Sequence, residues 1–318
     1  MKITFISQKP DNIIDRNHPN MRVDLAQQCI LKAPNIHYSN ISRINEKFDV
    51  AILLIPKTEQ DRNQLYEIDV VNESRKIANK VWFMQEGPSW IFQDLPLHQQ
   101  FWHYNVLSNV DGILCENETD ISYFKGLLID KDIPVWDIPS VMVEDIITPY
   151  KNTIRENKVM IGGNFCRWYG GFDSYIIAHI FDSPIYAPSM GRKIENEENI
   201  QNLNHLPYMQ WRDWIQTLSS FKYAVHLMPT IAAGTFAMNC GFLGIPCIGY
   251  EDADTQRIIH PELSIKQGDL NKAKELALKL KTDTKFYNKC SADAIKNYNE
   301  HFSESKFLDK MYKRLQSC

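Results

Sequence analysis

No uninterrupted apolar run in the 318 residues approaches the about 18 needed to span a bilayer, which argues against a helical membrane protein. Cysteine is scarce and unpatterned. There are seven, an odd number, with no C-x-x-C pair and no metal-ligand spacing. That sets aside a disulfide scaffold or zinc module and favours a reduced, cytoplasmic protein with core thiols. Short internal repeats and low-complexity segments are also missing, and no metal is expected. The opening residues, "MKITFISQKPDN", place one lysine before a short apolar run and read as a first strand, not a secretory signal.

What is present is an ordinary globular mixture: 44% hydrophobic, 23% charged, net charge −4. The charge is uneven. Residues 1–150 carry 14 Lys+Arg against 21 Asp+Glu, and residues 151–318 carry 21 against 18. The second half therefore suits an anionic ligand better.

Apolar runs alternate with helical patterns. "KITFIS", "FDVAILLIP", "KVWFMQ", "DGILCEN" and "PVWDIP" read as strands, with amphipathic stretches between them. Asn117 is placed to cap the helix after the fourth. The polar segment 148–158, "TPYKNTIRENK", interrupts the pattern, which resumes with "VMIGG", "SPIYAPS", "LNHLPY", "YAVHLM" and "IPCIGY". Such alternation predicts parallel sheets covered on both faces. The expected class is α/β, with two Rossmann-like domains facing across a cleft. The first is residues 1–150 and the second 151–300, with a final helix in 301–318 returning to the first domain.

Open α/β sheets bind ligands beyond the carboxyl ends of their strands. Four loops of the second half qualify. In "VMIGGNFCRWYGGFDSY", Gly162 and Gly163 follow a strand and Arg167 follows them; a guanidinium among glycines suits a diphosphate. "APSMGRK" offers Arg192, which serves equally as a surface charge. In "NHLPYMQWRDW", Tyr208 suits stacking on a flat base or a place in the core, while Trp211 and Trp214 read as packing. In "MPTIAAGTFAMNCGFLGIPCIGY", Gly234 and Thr235 open a helix whose N-terminus attracts phosphate, and Asn239 lies one turn on, within reach of a ribose hydroxyl. The small residues there also permit close helix–strand packing.

The run from strand–Gly-Gly–Arg through "LNHLPYMQWRDWIQTLSSFKYAVHLMPT" to "AAGTFAMNCGFLGIPCIGY" resembles the donor domain of GT-B glycosyltransferases. Gly234 and Gly244-Ile245-Pro246 match that family's closing phrase. Two positions where retaining members carry glutamate are Ile231 and Asn239 here, which puts retaining stereochemistry in doubt. "HPNMR", "MQEGPSW", "GGFDSY" and "AAGTFAMNC" are similar to glycosyltransferases of T-even-like and cyanophage tailed phages. The resemblance implies sugar transfer from a nucleotide sugar, with no separate cofactor and no metal. The acceptor is a hydroxymethylated base of DNA or a glycan. In the family, catalytic groups come from the first domain. Glu86 after the third strand is the expected general base, and His18 is the alternative. Arg22 and Asp24 lie beside His18, and Arg22 is suited to steady an anion. A nucleotide-sugar epimerase and a non-catalytic nucleotide-sugar binder are the competing readings.

Overall fold

The computed structural model describes residues 1–55, 68–85, 87–188 and 196–316. The chain forms two compact units. One comprises Met1–His18, Arg22–Met142 and Phe307–Cys318; the other comprises Pro19–Met21 and Val143–Lys306.

The first unit is built on six parallel strands: β1 (Ile3–Ser7), β2 (Asn35–His37), β3 (Phe48–Ile55), β4 (Ala78–Gln85), β5 (Gly112–Cys115) and β6 (Val135–Asp137). Their spatial order is β2-β1-β3-β4-β5-β6. Every residue of β1 is buried, as is all of β3 except Asp49. Strands covered on both faces have no solvated side to alternate towards, so their sequences are continuous apolar runs. β2 has only three residues and carries no such signature. Its place is fixed by the paired backbone bonds of Asn35 and Asn12 (2.7 and 3.2 Å) and by the bond from Ser7 Oγ to Asn35 Oδ1 (2.7 Å). Trp82 of β4 is fully buried and stacks on Trp136 at 4.9 Å. The terminal helix Glu304–Gln316 buries Phe307, Met311 and Leu315, spaced four apart on one face. On the same helix Lys310 and Arg314 (3.1 Å) reach Asp137 at the end of β6.

The second unit repeats the plan with β7 (Glu156–Ile161), β8 (Ile185–Ala187), β9 (Leu203–His205), β10 (Phe221–His226), β11 (Cys247–Tyr250) and β12 (Ser264–Ile265). The order is β12-β11-β10-β7-β8-β9, again all parallel. The chain builds outward from β7 through β8 to β9, then returns to lay β10 on the other side of β7. That reversal is the topological switch point of a Rossmann sheet, and it leaves a crevice between the loops that follow β7 and β10. Two helices close the unit, Leu270–Thr282 and Thr284–His301. Each starts at an aspartate whose carboxylate accepts a backbone N–H, Asp269 from Lys272 and Asp283 from Phe286, both at 3.0 Å.

Asn117 stands at the N-cap of the helix Glu118–Leu127, but its side chain makes no capping bond. Asn117 is buried, 1% exposed.

Candidate functional site

A pocket of about 350 Å³ opens at the β7/β10 switch point of the second unit. That is the lower part of the size range of small-molecule sites. Five elements supply its walls. Gly162 comes from the end of β7 and Pro188 from the end of β8. Pro207, Tyr208 and Met209 follow β9, with Trp214 on the next helix. Thr235, Phe236 and Asn239 come from the helix after β10. Most of this wall is apolar, so the few polar groups in it decide what binds.

The chief of these is a helix terminus. The helix Thr235–Leu243 begins at Gly234, whose φ of +63° and ψ of +35° are left-handed. No side chain caps it, and its first turn holds no acidic residue. The partial positive charge of its leading amides is therefore not offset by a carboxylate within the helix, which suits an anion. Only glycine fits at 234. A Cβ there would meet left-handed strain and would lie 1.7 Å from Thr255 Oγ1.

Asn239, one turn along, is 2% exposed. Its amide is satisfied when the oxygen accepts from Trp214 Nε1 at 3.2 Å and the nitrogen donates to Thr235 O at 3.3 Å. The sequence pattern marked Trp214 as packing. The usable signal was chemical: the N–H of a half-buried indole takes an acceptor, and the amide of Asn239 is the acceptor it finds. Trp211, three residues earlier, is buried, and its backbone N–H donates to Pro19 O at 2.7 Å.

Tyr208 stands at the rim, 68% exposed, with its hydroxyl donating to Asn20 Oδ1 at 2.6 Å. Gly162 and Gly163 are both buried. The close approach that Gly162 allows is that of a side chain: an added Cβ would lie 2.3 Å from Cγ of His226, the last residue of β10. At Gly163 the neighbour is Tyr169 Cβ, at 2.7 Å. Arg167 is exposed, with its guanidinium 5.5 Å from the Trp168 ring, and does not line the pocket. The structure thus brings Gly162, Tyr208, Thr235 and Asn239 to one pocket, with Gly234 setting its helix. Arg192 and Glu86 lie outside the described residues.

In the first unit His18, Arg22 and Asp24 follow β1. Asp24 is 8% exposed on the helix Val23–Leu31. It is ion-paired with Lys9 and, at 3.3 Å, with Arg22 Nε. Burial opposes its charge, but the two cations prevail and hold its pKa below the usual carboxylate range. Asp24 is therefore a fixed anion, unsuited to carrying a proton. Partial burial, helped by Lys9, lowers the pKa of His18, so its imidazole is neutral at neutral pH and able to accept a proton. Among the described residues no group of three His, Cys, Asp or Glu side chains could hold a metal ion. No described helix is long and apolar enough to cross a membrane. The six described cysteines are all free thiols.

No protein-family model matches the chain, and no curated protein matches it. Solved structures do. HepE of Anabaena, in complex with UDP-glucose, is 9% identical, aligns over 100% of both chains and gives a TM-score of 0.72. An alpha-glucosyltransferase in complex with UDP-glucose and DNA containing an abasic site is 11% identical over 99% of this chain and 98% of that one, with a TM-score of 0.64. TarM of S. aureus, in complex with fondaparinux, alpha-GlcNAc-glycerol and UDP, is 11% identical with a TM-score of 0.60. The match covers 83% of this chain but only 55% of TarM, so this chain spans about half of that protein. At such identities the likeness concerns the fold. With two six-stranded parallel sheets, each wrapped in helices, and alignment over nearly the full length of HepE and of the alpha-glucosyltransferase, the chain has the α/β architecture of GT-B glycosyltransferases.

Proposed function

We propose that the protein is a glycosyltransferase that moves a sugar from a nucleotide sugar to an acceptor hydroxyl. The observation that carries this reading is the pocket at the β7/β10 switch point, apolar-walled and floored by an uncapped helix N-terminus. A nucleoside diphosphate has the same division, a flat base at one end and a dianion at the other. Tyr208 is the stacking surface for the base. The leading amides of the helix at Thr235, with the Thr235 hydroxyl, hold the diphosphate as it leaves. Gly162 and the Asn239–Trp214 pair shape the wall. Arg167, and Arg192 from the sequence, supply positive charge. The complexes of HepE with UDP-glucose and of TarM with UDP support the donor class by analogy of fold.

In the reaction the acceptor oxygen forms a bond to the anomeric carbon as the bond from that carbon to the diphosphate breaks. The acceptor proton passes to a base. Glu86 is the base the sequence favours, and His18, neutral at working pH, is the other. The donor is a co-substrate, and the reading calls for no further cofactor. Its place is the cytoplasm, where free thiols persist.

The test is a thermal-shift screen of nucleotide sugars and nucleoside diphosphates. The cognate donor at a hundredfold excess over its Kd is expected to add about 2.7 kcal/mol of stability. No shift with any of them would remove the reading. Turnover of donor alone to an isomeric nucleotide sugar would favour the epimerase, and binding with neither transfer nor hydrolysis would favour a binding protein. Arg167→Ala, at an exposed loop, is expected to change stability by no more than about 0.5 kcal/mol. It should weaken donor binding by about 1.5–3 kcal/mol, measured by titration calorimetry. Unchanged affinity in the folded variant takes Arg167 out of the site.

A further inference from the structure

We infer that Trp214 is a positioning residue for the donor: through Asn239, its indole holds the first turn of the helix Thr235–Leu243 where that turn receives the diphosphate. The inference rests on the glycosyltransferase reading above and concerns how its donor site is kept in shape. Trp214, Asn239 and Thr235 line the same pocket. They are joined in a chain. The indole Nε1 donates to the Asn239 amide oxygen at 3.2 Å, and the amide nitrogen donates to Thr235 O at 3.3 Å. The Trp214 ring also lies 6.3 Å from that of Phe236, the second residue of the helix. Both contacts of the indole therefore fall on one helical turn.

A helix start is its weakest turn, because its leading amides have no partner within the helix. A serine or aspartate at the N-cap would tie that turn down, but by occupying the amides that an anion needs. Gly234 leaves them open, and no side chain caps the helix. The turn is held instead from its carbonyl side, where Asn239 reaches back four residues to Thr235 O. An asparagine side chain has several rotamers, and the single indole N–H selects the one that makes this bond. The tryptophan itself comes from a fixed base. In its helix, Trp211–Ser219, Ile215 and Leu218 are fully buried. Thr217 Oγ1 donates to Met209 Sδ at 3.3 Å and ties that helix to the loop before it. A binding group keeps its geometry only when its supports are themselves locked in this way. The apolar wall is served at 214 by any aromatic ring; the chain to Thr235 requires the N–H.

The experiment uses the full chain and three variants. Trp214→Phe keeps an aromatic ring in the wall and removes the N–H. Asn239→Leu keeps the branched shape and removes both polar atoms. The third carries both changes. The probes are UDP and uridine, titrated by calorimetry, with GDP and guanosine or ADP and adenosine taking their place if the thermal screen selects those. Trp214→Phe is expected to raise the UDP Kd about tenfold, which is about 1.4 kcal/mol, and the uridine Kd less than about twofold. Asn239→Leu should act in the same direction, and the double variant should lose no more than Asn239→Leu alone, since the two residues act in one chain. In the ligand-free protein the Met238 amide bonds Gly234 O at 3.2 Å. Its hydrogen exchange should quicken about tenfold in Trp214→Phe, as expected of a turn that opens more readily. Equal weakening of UDP and uridine overturns the inference, because a residue that only shapes the wall would affect both alike. Additive losses in the double variant overturn it too, as does unchanged Met238 exchange. If Trp214→Phe does not fold, the same comparison of UDP with uridine is decided by Asn239→Leu. An unmodified protein that binds no nucleoside diphosphate overturns the glycosyltransferase reading and this inference with it, and that outcome is distinct because it appears before any substitution is made.

Discussion

Gly234→Ala is expected to cost about 3 kcal/mol or more of stability and to abolish donor binding. Two terms add. The left-handed backbone at 234 (φ +63°) charges a β-carbon about 1–2 kcal/mol. The new carbon would also lie 1.7 Å from Thr255 Oγ1, an overlap that must be relieved by moving the helix Thr235–Leu243 or the helix Asp254–Ile259. Overpacking of that kind typically costs about 1–3 kcal/mol. Either movement displaces the amides at the pocket floor. The two terms can be separated. Thr255 Oγ1 is buried without a hydrogen-bond partner, so Thr255→Ala alone should be nearly neutral. In the double variant the nearest remaining atom is Thr255 Cβ at 2.9 Å, so most of the overlap is gone and the backbone strain stays. Urea denaturation of the four proteins gives the cycle. Equal losses in Gly234→Ala with and without Thr255→Ala would mean that the hydroxyl is not what Gly234 accommodates. A Gly234→Ala protein with full stability and full UDP-glucose affinity would remove the helix N-terminus from the site.

Acid is expected to destabilise the protein between pH 6.5 and 4, before most carboxylates titrate. His260 is 2% exposed. Its Nε2 donates to Ala237 O at 3.0 Å, which leaves Nδ1 as an enclosed acceptor without a partner. Burial lowers its pKa from 6.5 to about 4, against a small opposing effect of the Ala237 bond. The unfolded chain takes up the proton near pH 6.5 and the folded one only near pH 4, so within that window the unfolded state holds more protons. Stability is complete above pH 6.5, falls as the pH drops through the window, and levels off below about pH 4. The shift corresponds to about 3 kcal/mol. His226, whose Nε2 is likewise enclosed, is lowered to about 4 by burial and acts in the same direction. As a residue it is only partly covered, so the larger share is assigned to His260. His260→Gln, which retains a donor for Ala237, should flatten the stability–pH curve measured by urea denaturation. A curve already flat over this interval in the unmodified protein would show that neither histidine is held neutral.

The amino-acid sequence by itself determined the succession of strands and helices. Parallel strands buried on both faces must be apolar throughout, so "FDVAILLIP" and "YAVHLM" announce themselves without any partner. β2 and β12, with three and two residues, escaped because a strand that short has no period to read; backbone pairing with a neighbour defines it. The switch-point loops were legible as well, since a strand running into Gly162 or a helix opening at Gly234 is a local pattern. What those glycines accommodate was decided only by the tertiary structure. At 162 it is the ring of His226, sixty-four residues later, and at 234 the hydroxyl of Thr255. The same holds for charge. In the sequence Asp24 is a residue beside His18 and Arg22, but folding buries it against Lys9 and Arg22 and holds it as an anion. The bond between Trp214 and Asn239 joins two helices separated by a strand, and no local pattern encodes it. Backbone conformation is set over a few residues by side-chain shape, and sequence carries it directly. Burial, electrostatic partners and hydrogen-bond satisfaction depend on which distant segments meet, so they exist only once the sheets are assembled.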